Sequence, residues 1–326
     1  MAITDQPRIG NPEILTPQFT DTVAPFVVSR EAYIVDEELL DTLEASLVNE
    51  LRENIDPEGP TIVTVIVPWD HPAANFGRMT ETKAYTGYDN HAAMAQYEER
   101  SIWLYTVDTN PLGASGIDHV KRLVPAMTEE ERAETGLTGI EVIDDRLTAT
   151  DPNEVLDLSS LQEFHGIEDI GKVWNVTSNH VTGRVNEEGD MFSQLNTLIS
   201  YKATYMLGKE AGVTDLFAYL NQGAIRSLGR TGVTHELLLG REFHLPEPGK
   251  PGHYDLDYVA VDIPYSPENE ACFTDVYVHV PTGDRQLDKR GAARETISQI
   301  ISGQEVPVYQ LGPSTRDDIP LVTRRM

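Results

Sequence analysis

The feature that most constrains this chain is a long amphipathic pattern that lies between two strand patterns. In DMFSQLNTLISYKATYMLGKEAG (190–212), four apolar residues recur at helical spacing: Leu195, Ile199, Ala203 and Met206. A polar strand is predicted before this helix, at 172–185, and a buried strand after it, at 215–220. A short helix at 221–231 and a strand at 235–239 follow. This alternation favours an α/β sheet with helices packed against it.

The flanking patterns extend the same sheet. The sequence predicts the following elements in chain order: an amphipathic helix at 36–51, a strand at 60–69, a loop at 70–91, a hairpin at 101–123 and an exposed polar helix or turn at 127–136. After PEPGKPG (246–252) the composition shifts. We expect a hairpin-like region at 254–280 and a short helix near 290–302.

The formal charge of −28 limits the class of partner. Such a surface repels nucleic-acid phosphates and anionic lipid, so we expect small-molecule substrates, no nucleic acid and no membrane. The single cysteine, Cys272, cannot form an intramolecular disulfide and is expected to be a buried, inert thiol. No signal-peptide pattern is present at the N-terminus, so a cytoplasmic location is predicted.

The segment NQGAIRSLGRTGV (221–233) leaves a strand on an asparagine and stops a helix on a glycine. The amide of Asn221 can cap the next helix or hydrogen-bond an extended amide ligand beside the sheet. Gly232 allows the left-handed turn through which the next strand returns. The same pattern is also common in α/β proteins wherever a strand leads into a capped helix, and that interpretation stays open.

In the order of its elements and in Asn221, Ala224, Ile225 and Gly232, the chain resembles the GNAT superfamily of N-acyltransferases over about residues 61–240. The resemblance implies a mixed α/β (α+β), mostly antiparallel central sheet with helices on both faces. It also implies three segments: an N-terminal arm and helix at 1–60, the acyltransferase domain at 61–245, and a C-terminal extension at 246–326.

Within that superfamily the chain is most similar to the autoinducer-synthase-like and N-acyl amino acid synthase branch. Tyr88-Asp89 precedes the hairpin, and RLVP follows it from Arg122. In VWNVTSNHV, Trp174 is retained, but Asn175 and Ser178 stand where the branch carries Glu and Arg. These departures argue against lactone synthesis and leave acyl transfer in general open.

The resemblance implies coenzyme A or acyl-CoA as the substrate that donates the acyl group. Its pyrophosphate would bind a loop that opens the long helix, as helix N-termini bind phosphate. In TGRVNEEGD (182–190), Gly183, Arg184 and Gly189 suit a phosphate, whereas the neighbouring acidic residues oppose one. Asn221 is the fourth predicted cofactor-binding residue.

Acyl transfer also needs a base and a site for the acceptor. His180 on the polar strand is the first candidate base, because histidine titrates near neutral pH; Asp89 is the second, as base or orienter. Asn175 completes the predicted catalytic set. Arg122, Trp174 and His119 are the predicted acceptor-binding residues, with Arg122 suited to a carboxylate. Many relatives carry, at the position of Leu228, a tyrosine that protonates the leaving thiolate. In this chain Tyr219 or Tyr205 acts instead, or the thiolate leaves without help.

Two function classes remain: an acyl-CoA-dependent N-acyltransferase and a non-catalytic binding or regulatory protein on the same scaffold. The second is motivated by the missing charged residues and by the acidic phosphate loop. Nine histidines are scattered without the spacing of a metal site, so no metal is predicted. A homo-oligomer is left open.

Overall fold

The computed structural model describes residues 13–15, 37–56, 58–84, 97–110, 115–144, 158–181, 191–246 and 254–311. The chain divides into two compact units. Unit 1 contains Met1–Leu123, Ser178–Ala211 and Glu305–Met326; unit 2 contains Val124–Thr177 and Gly212–Gln304. The division expected from the sequence follows chain order, whereas each of these units gathers segments that are distant along the chain.

Five strands of the unit 1 sheet lie among the described residues: β1 (Glu13–Leu15), β2 (Ile62–Pro68), β3 (Ile102–Asp108), β4 (Gly116–Pro125, its last two residues in unit 2) and β9 (Val308–Leu311). Their spatial order is β1-β9-β2-β3-β4. Strands β2, β3 and β4 pair antiparallel, and β9 runs parallel to β1 and β2. The hairpin predicted at 101–123 is confirmed.

Helices cover both faces of this sheet. On one face lie α1 (Glu37–Asn54) and α2 (Ala74–Ala84), which share an apolar core with β2, β3 and β4. The helix is amphipathic, as predicted, and four of its buried residues recur every three or four positions: Leu40, Leu43, Leu47 and Leu51. On the other face lies α6 (Met191–Glu210), which contacts β3 and β2 and bonds to side chains of β4.

The predicted loop at 70–91 is wrong over α2. Pro72, Asn75 and Gly77 read as turn formers in isolation, but here the segment is helical and its apolar side chains are buried. Gly77 packs on β3 so closely that a Cβ atom would lie 2.4 Å from Trp103 Cε3. Tertiary packing against the sheet therefore overrides the local turn propensity.

In the sheet of unit 2 the structure describes four strands: the first five residues of β5 (Val173–Val181), and β6 (Asp215–Asn221), β7 (Glu236–Pro246) and β8 (Tyr254–Pro264). Their order is β5-β6-β8-β7, with β5 parallel to β6 and the other pairs antiparallel. Because β8 lies between β6 and β7, residues 254–264 belong to the sheet of unit 2. The predicted hairpin-like region at 254–280 is corrected accordingly.

Six α-helices are described in unit 2: α3 (Glu129–Thr135), α4 (Glu141–Asp144), α5 (Leu158–His165), α7 (Gln222–Thr231), α8 (Pro267–Thr274) and α9 (Arg285–Ser302). A reciprocal capping box between Thr128 and Glu131 begins α3, the exposed polar helix that was predicted. One face of the sheet packs Val173, Phe217 and Ala260 against Ile140 and Leu161. The predicted short helix near 290–302 begins earlier, at Arg285, where Asp284 caps it.

Antiparallel pairings predominate among the strand pairs that the structure describes, and the fold class predicted from the sequence, a mixed α/β sheet, is confirmed.

Candidate functional site

The strand–asparagine–helix–glycine arrangement predicted at 221–233 is present in unit 2. Strand β6 ends at Asn221, and α7 begins at the next residue. The helix ends at Thr231, and Gly232 follows with φ +88°. A side chain at this glycine would also collide with the guanidinium of Arg294, since a Cβ atom would lie 2.2 Å from Arg294 Cζ. The left-handed turn predicted for Gly232 is confirmed.

Strand β6 is paired unequally on its two sides. On one side its pairing with β8 runs along the whole strand, from Asp215↔Pro264 to Asn221↔Tyr258. On the other side, the pairs described with β5 run from Val173↔Asp215 to Val176↔Ala218. Strand β6 thus continues for three residues past its described pairing with β5 before it enters α7. We call this end of β6, with the first turn of α7, the Asn221 corner.

Asn175 and Trp174 lie on opposite faces of β5, as alternation predicts. The Asn175 side chain is fully buried, and its Nδ2 donates a hydrogen bond to the Val124 carbonyl at 3.1 Å. This bond gives the amide a structural task, since it ties β5 to the end of β4 within unit 2. Trp174 is also buried. The predicted roles of both residues stay predictions.

Arg122 and His119, predicted to bind an acceptor, lie buried on opposite faces of β4 in unit 1. Arg122 Nε donates to Ser101 Oγ at 2.8 Å, and its Nη2 lies 3.9 Å from Glu98 Oε2. His119 Nδ1 lies 3.2 Å from Ser200 Oγ of α6. The strand therefore separates the two side chains, and a single small acceptor would not contact both.

Glu98 is the counter-ion of two buried arginines. Besides Arg122, it receives a 2.5 Å hydrogen bond from Nε of Arg78 on α2. Arg78 also donates to Asn75 Oδ1 and to the Trp69 carbonyl. Arg78 was missed as a partner of Glu98, because the sequence predicted a loop here and only the helix directs its side chain toward Glu98.

A layer of polar side chains fills the space between the unit 1 sheet and α6. Its buried members are Thr64, Thr106, His119, Lys121, Ser200 and Thr204. Lys121 Nζ donates to Thr204 Oγ1 at 3.1 Å and lies 4.2 Å from the centre of the Tyr201 ring. Burial lowers the pKa of this lysine well below its usual value. The polar content of α6 was visible in the sequence, but its partner Lys121 was not singled out.

Unit 2 buries an acid among acids. Asp262 of β8 stands opposite Phe217 on one side and Glu236 on the other, and Asp215 lies two residues from Phe217 on the same face. Asp262 is 3% exposed, and its Oδ1 has no hydrogen-bond partner. Burial first, and then Asp215 and Glu236, raise the pKa of Asp262 to about 8. Only strand register reveals this group, since the three residues are far apart in the sequence.

Several predicted residues cannot be placed. Asp89, Gly183, Arg184 and Gly189 lie outside the described residues. His180 lies on β5 and Tyr219 on β6, but their side chains are not described. Leu228 is buried on α7, and Tyr205 is buried on α6. Cys272 is buried, as predicted, and burial raises the pKa of its thiol.

Within the described part of the chain, no group of three His, Cys, Asp or Glu side chains is arranged to hold a metal ion. Nor does any helix in that part combine the length and the apolar composition that crossing a membrane requires.

No protein-family model and no curated protein sequence matches the chain. Among solved structures, the CoA-dependent acyl-homoserine lactone synthase BjaI, with SAM and isopentyl-CoA, gives a TM-score of 0.36 at 13% identity, over 81% of this chain and 98% of that one. The CoA-dependent acyl-homoserine lactone synthase MesI gives 0.32 at 15% identity, over 64% of this chain and 92% of that one. IAA acetyltransferase from Bacillus cereus gives 0.32 at 9% identity, over 62% and 99%. These three proteins belong to the class that the sequence resembles. Their structural similarity to this chain is too low to carry an argument about it.

Proposed function

We propose that this protein is an N-acyltransferase that moves an acyl group from a coenzyme A thioester to a small amine or amino acid. The observation that carries the proposal is the Asn221 corner. There β6 runs past its described pairing with β5, and α7 begins at once. The sequence resemblance, which centres on the same residues, agrees with it.

The corner suits the chemistry of the donor. The pantetheine arm of coenzyme A is extended and contains two amides, so it can pair with the backbone of a strand as another strand would. The amide of Asn221, whose side chain is not described, is proposed to supply one further donor and acceptor beside that path. The N-terminus of α7 lies at the same place.

The transfer itself needs three things from the protein. The amine must be neutral when its nitrogen attacks the thioester carbonyl, which for a lysine-like amine at pH 7 costs roughly 4–5 kcal/mol. A backbone N–H of β5 is proposed to stabilise the oxyanion, a contribution of about 3–4 kcal/mol. The C–S bond then breaks, the amine proton passes to His180 as proposed base, with Asp89 as orienter, and the thiolate leaves.

Buried Leu228 offers no proton to the thiolate. Tyr219, which lies on the part of β6 that forms the corner, is therefore the proposed donor in its place. For Arg122, acceptor binding would require a carboxylate to reach a guanidinium that already bonds Ser101 and lies near Glu98. Arg122 is thus the weaker of the proposed acceptor contacts. Trp174 remains a candidate, and His119 remains one as an alternative to Arg122.

Binding is tested first by thermal unfolding with coenzyme A and with acyl-CoAs of several chain lengths. A ligand that binds only the folded chain stabilises it by about 2.7 kcal/mol at a hundred times its Kd, so the midpoint should rise. Asn221→Ala should weaken binding about three- to tenfold, the cost of one amide hydrogen bond. Asn54→Ala, the same change at an exposed residue of α1, serves as control. An unchanged midpoint at millimolar ligand would rule out the enzyme.

Turnover is tested by thiol release from the bound acyl-CoA with a pool of amino acids and small amines as acceptors. His180→Ala should lower kcat about a hundredfold or more if His180 takes the proton. His235→Ala, a half-buried histidine of unit 2 without an assigned role, is the matched control. Ligand binding without thiol release from the acyl-CoA, whichever acceptor is added, would favour the non-catalytic binding protein instead.

A further inference from the structure

A row of exposed valines follows α8 in unit 2. Val276, Val278 and Val280 are 52%, 67% and 74% exposed, whereas Tyr277 and His279 between them are half-buried. Alternation with a period of two is typical of an extended backbone. We call residues 276–280 the valine segment; no helix or strand is assigned to it.

Helix α9 holds the valine segment by its inward side chains. The Tyr277 ring lies under the Arg294 guanidinium, 4.3 Å from its Cζ, and the Tyr277 N–H donates to Ser298 Oγ at 2.8 Å. His279 Nε2 lies 3.3 Å from Asp288 Oδ1. The His279 ring sits against Gly291, where a Cβ atom would lie 2.0 Å from His279 Nδ1.

This fixation has a recognisable cost. A glycine inside a helix is less favourable than alanine, and at Gly291 the close approach of His279 requires a glycine. Just after the segment, the Asp288 carboxylate also accepts hydrogen bonds from the backbone N–H groups of Thr282 and Gly283. The valines are thus held in place before any partner arrives, which reduces the entropy lost on association.

One edge of the segment is available for strand pairing. In an extended chain, backbone groups of alternate residues face opposite edges. Tyr277 directs its backbone groups to Ser298, which leaves those of Val276, Val278 and Val280 on the other edge. No backbone hydrogen bond is described for these three valines.

The local charge permits a second copy of this acidic chain to approach. Residues 275–304 carry four acidic groups (Asp275, Asp284, Asp288 and Glu295) and four basic groups (Arg285, Lys289, Arg290 and Arg294), so their formal charge is 4 − 4 = 0. The whole chain carries −28. Two copies that meet elsewhere would mostly oppose like charges, whereas here they would not.

We propose that the valine segment pairs antiparallel with the same segment of a second copy of this chain and forms a two-fold symmetric dimer. The row is self-complementary: Val278 would stand opposite Val278 of the second copy, and Val276 opposite Val280. Each valine would exchange backbone hydrogen bonds with its opposite and pack against it on the same face. Because the contact is two-fold symmetric, each copy pairs its exposed edge with the other, and no edge is left for a third copy.

The first test is the oligomeric state of the full chain, measured by light scattering over concentrations from 1 to about 100 μM. The wild type should reach the dimer mass within that range. Val278→Lys should weaken the dimer about tenfold or more, because it places two like charges directly opposite each other. Leu237→Lys, the same change at an exposed apolar residue of β7, should leave the dimer intact. A monomer at all concentrations, or a dimer indifferent to Val278→Lys, would overturn the proposal.

The second test fixes the register. Val278→Cys should form an intermolecular disulfide under mild oxidation, since residues opposite each other in such a pair have Cα atoms about 5.5 Å apart. Leu237→Cys should not cross-link faster than the wild type, whose Cys272 is buried. Equal rates for the two variants would show that any dimer uses another surface. Circular dichroism of each variant confirms that it is folded.

Discussion

The two units bury charge in opposite ways. Unit 1 buries two cations with a counter-ion, since Arg78 and Arg122 share Glu98. Unit 2 buries the acid Asp262 beside two other acids, with no hydrogen bond to its Oδ1. A paired buried charge is costly to break, whereas an unpaired one is costly to keep. Removing charge should therefore destabilise the first unit and stabilise the second.

Glu98→Ala is expected to have the largest effect. It removes the carboxylate that Arg78 and Arg122 share, and removing one partner of a buried pair costs about 3–5 kcal/mol. Urea unfolding should show that loss in the free energy of unfolding. Glu99→Ala, at the exposed neighbouring position, should change it by less than about 0.5 kcal/mol. A similar small change for Glu98→Ala would erase the contrast between the units.

Asp262→Asn is expected to act in the opposite direction and to depend on pH. The folded pKa of Asp262 is about 8 and its unfolded value 3.8, so the folded chain binds more protons between these limits. Stability should therefore fall as the pH rises from about 4 to about 8. The variant removes this penalty and should gain about 1–2 kcal/mol at pH 8.5, and less at pH 5.

The measurement is urea unfolding at several pH values, with Asp41→Asn on the exposed side of α1 as control. A loss of stability at pH 8.5 would mean that Asp262 has a partner on which the fold depends. Unit 2 would then resemble unit 1.

Glu236→Gln is expected to have the smallest effect of the three substitutions. Its side chain is 67% exposed and lies 3.9 Å from His165 Nδ1, so solvent screens its field. We expect a change below about 0.5 kcal/mol in stability and a downward shift of the pKa of Asp262 by a fraction of a unit. Carboxyl ¹³C shifts followed against pH would measure that shift, with exposed Glu134→Gln as control. An unchanged pKa would leave burial as its main cause.

Much of the fold was predictable from local pattern. The spacing of leucines in α1, the hairpin of β3 and β4, the long helix α6 and the β6–α7–Gly232 turn all lie where the sequence placed them. Each depends on periodicity or on a single residue with special backbone freedom, which neighbours along the chain reveal. The segment at α2 was missed because its helix is stabilised by contact with Trp103, which lies far along the sequence.

The candidate site was predictable only in part. The Asn221 corner is a local motif, so the sequence identified it. Arg122 and His119 were also singled out, but one strand places them on opposite faces, which no count of residues along the chain indicated. Asp262 and Lys121 were missed, because the properties of a buried ionisable group depend on what surrounds it and not on its neighbours in sequence.

The sequence by itself determined the class of the sheet, the order of most of its elements and the strongly acidic character of the chain, because these depend on patterns within short segments or on composition. The tertiary structure decided where β8 inserts, which segments form each unit, which charges are buried with partners, and that three valines stay exposed on a segment that α9 holds. Those features arise from contacts between distant segments, whose geometry is fixed only when the strands are in register.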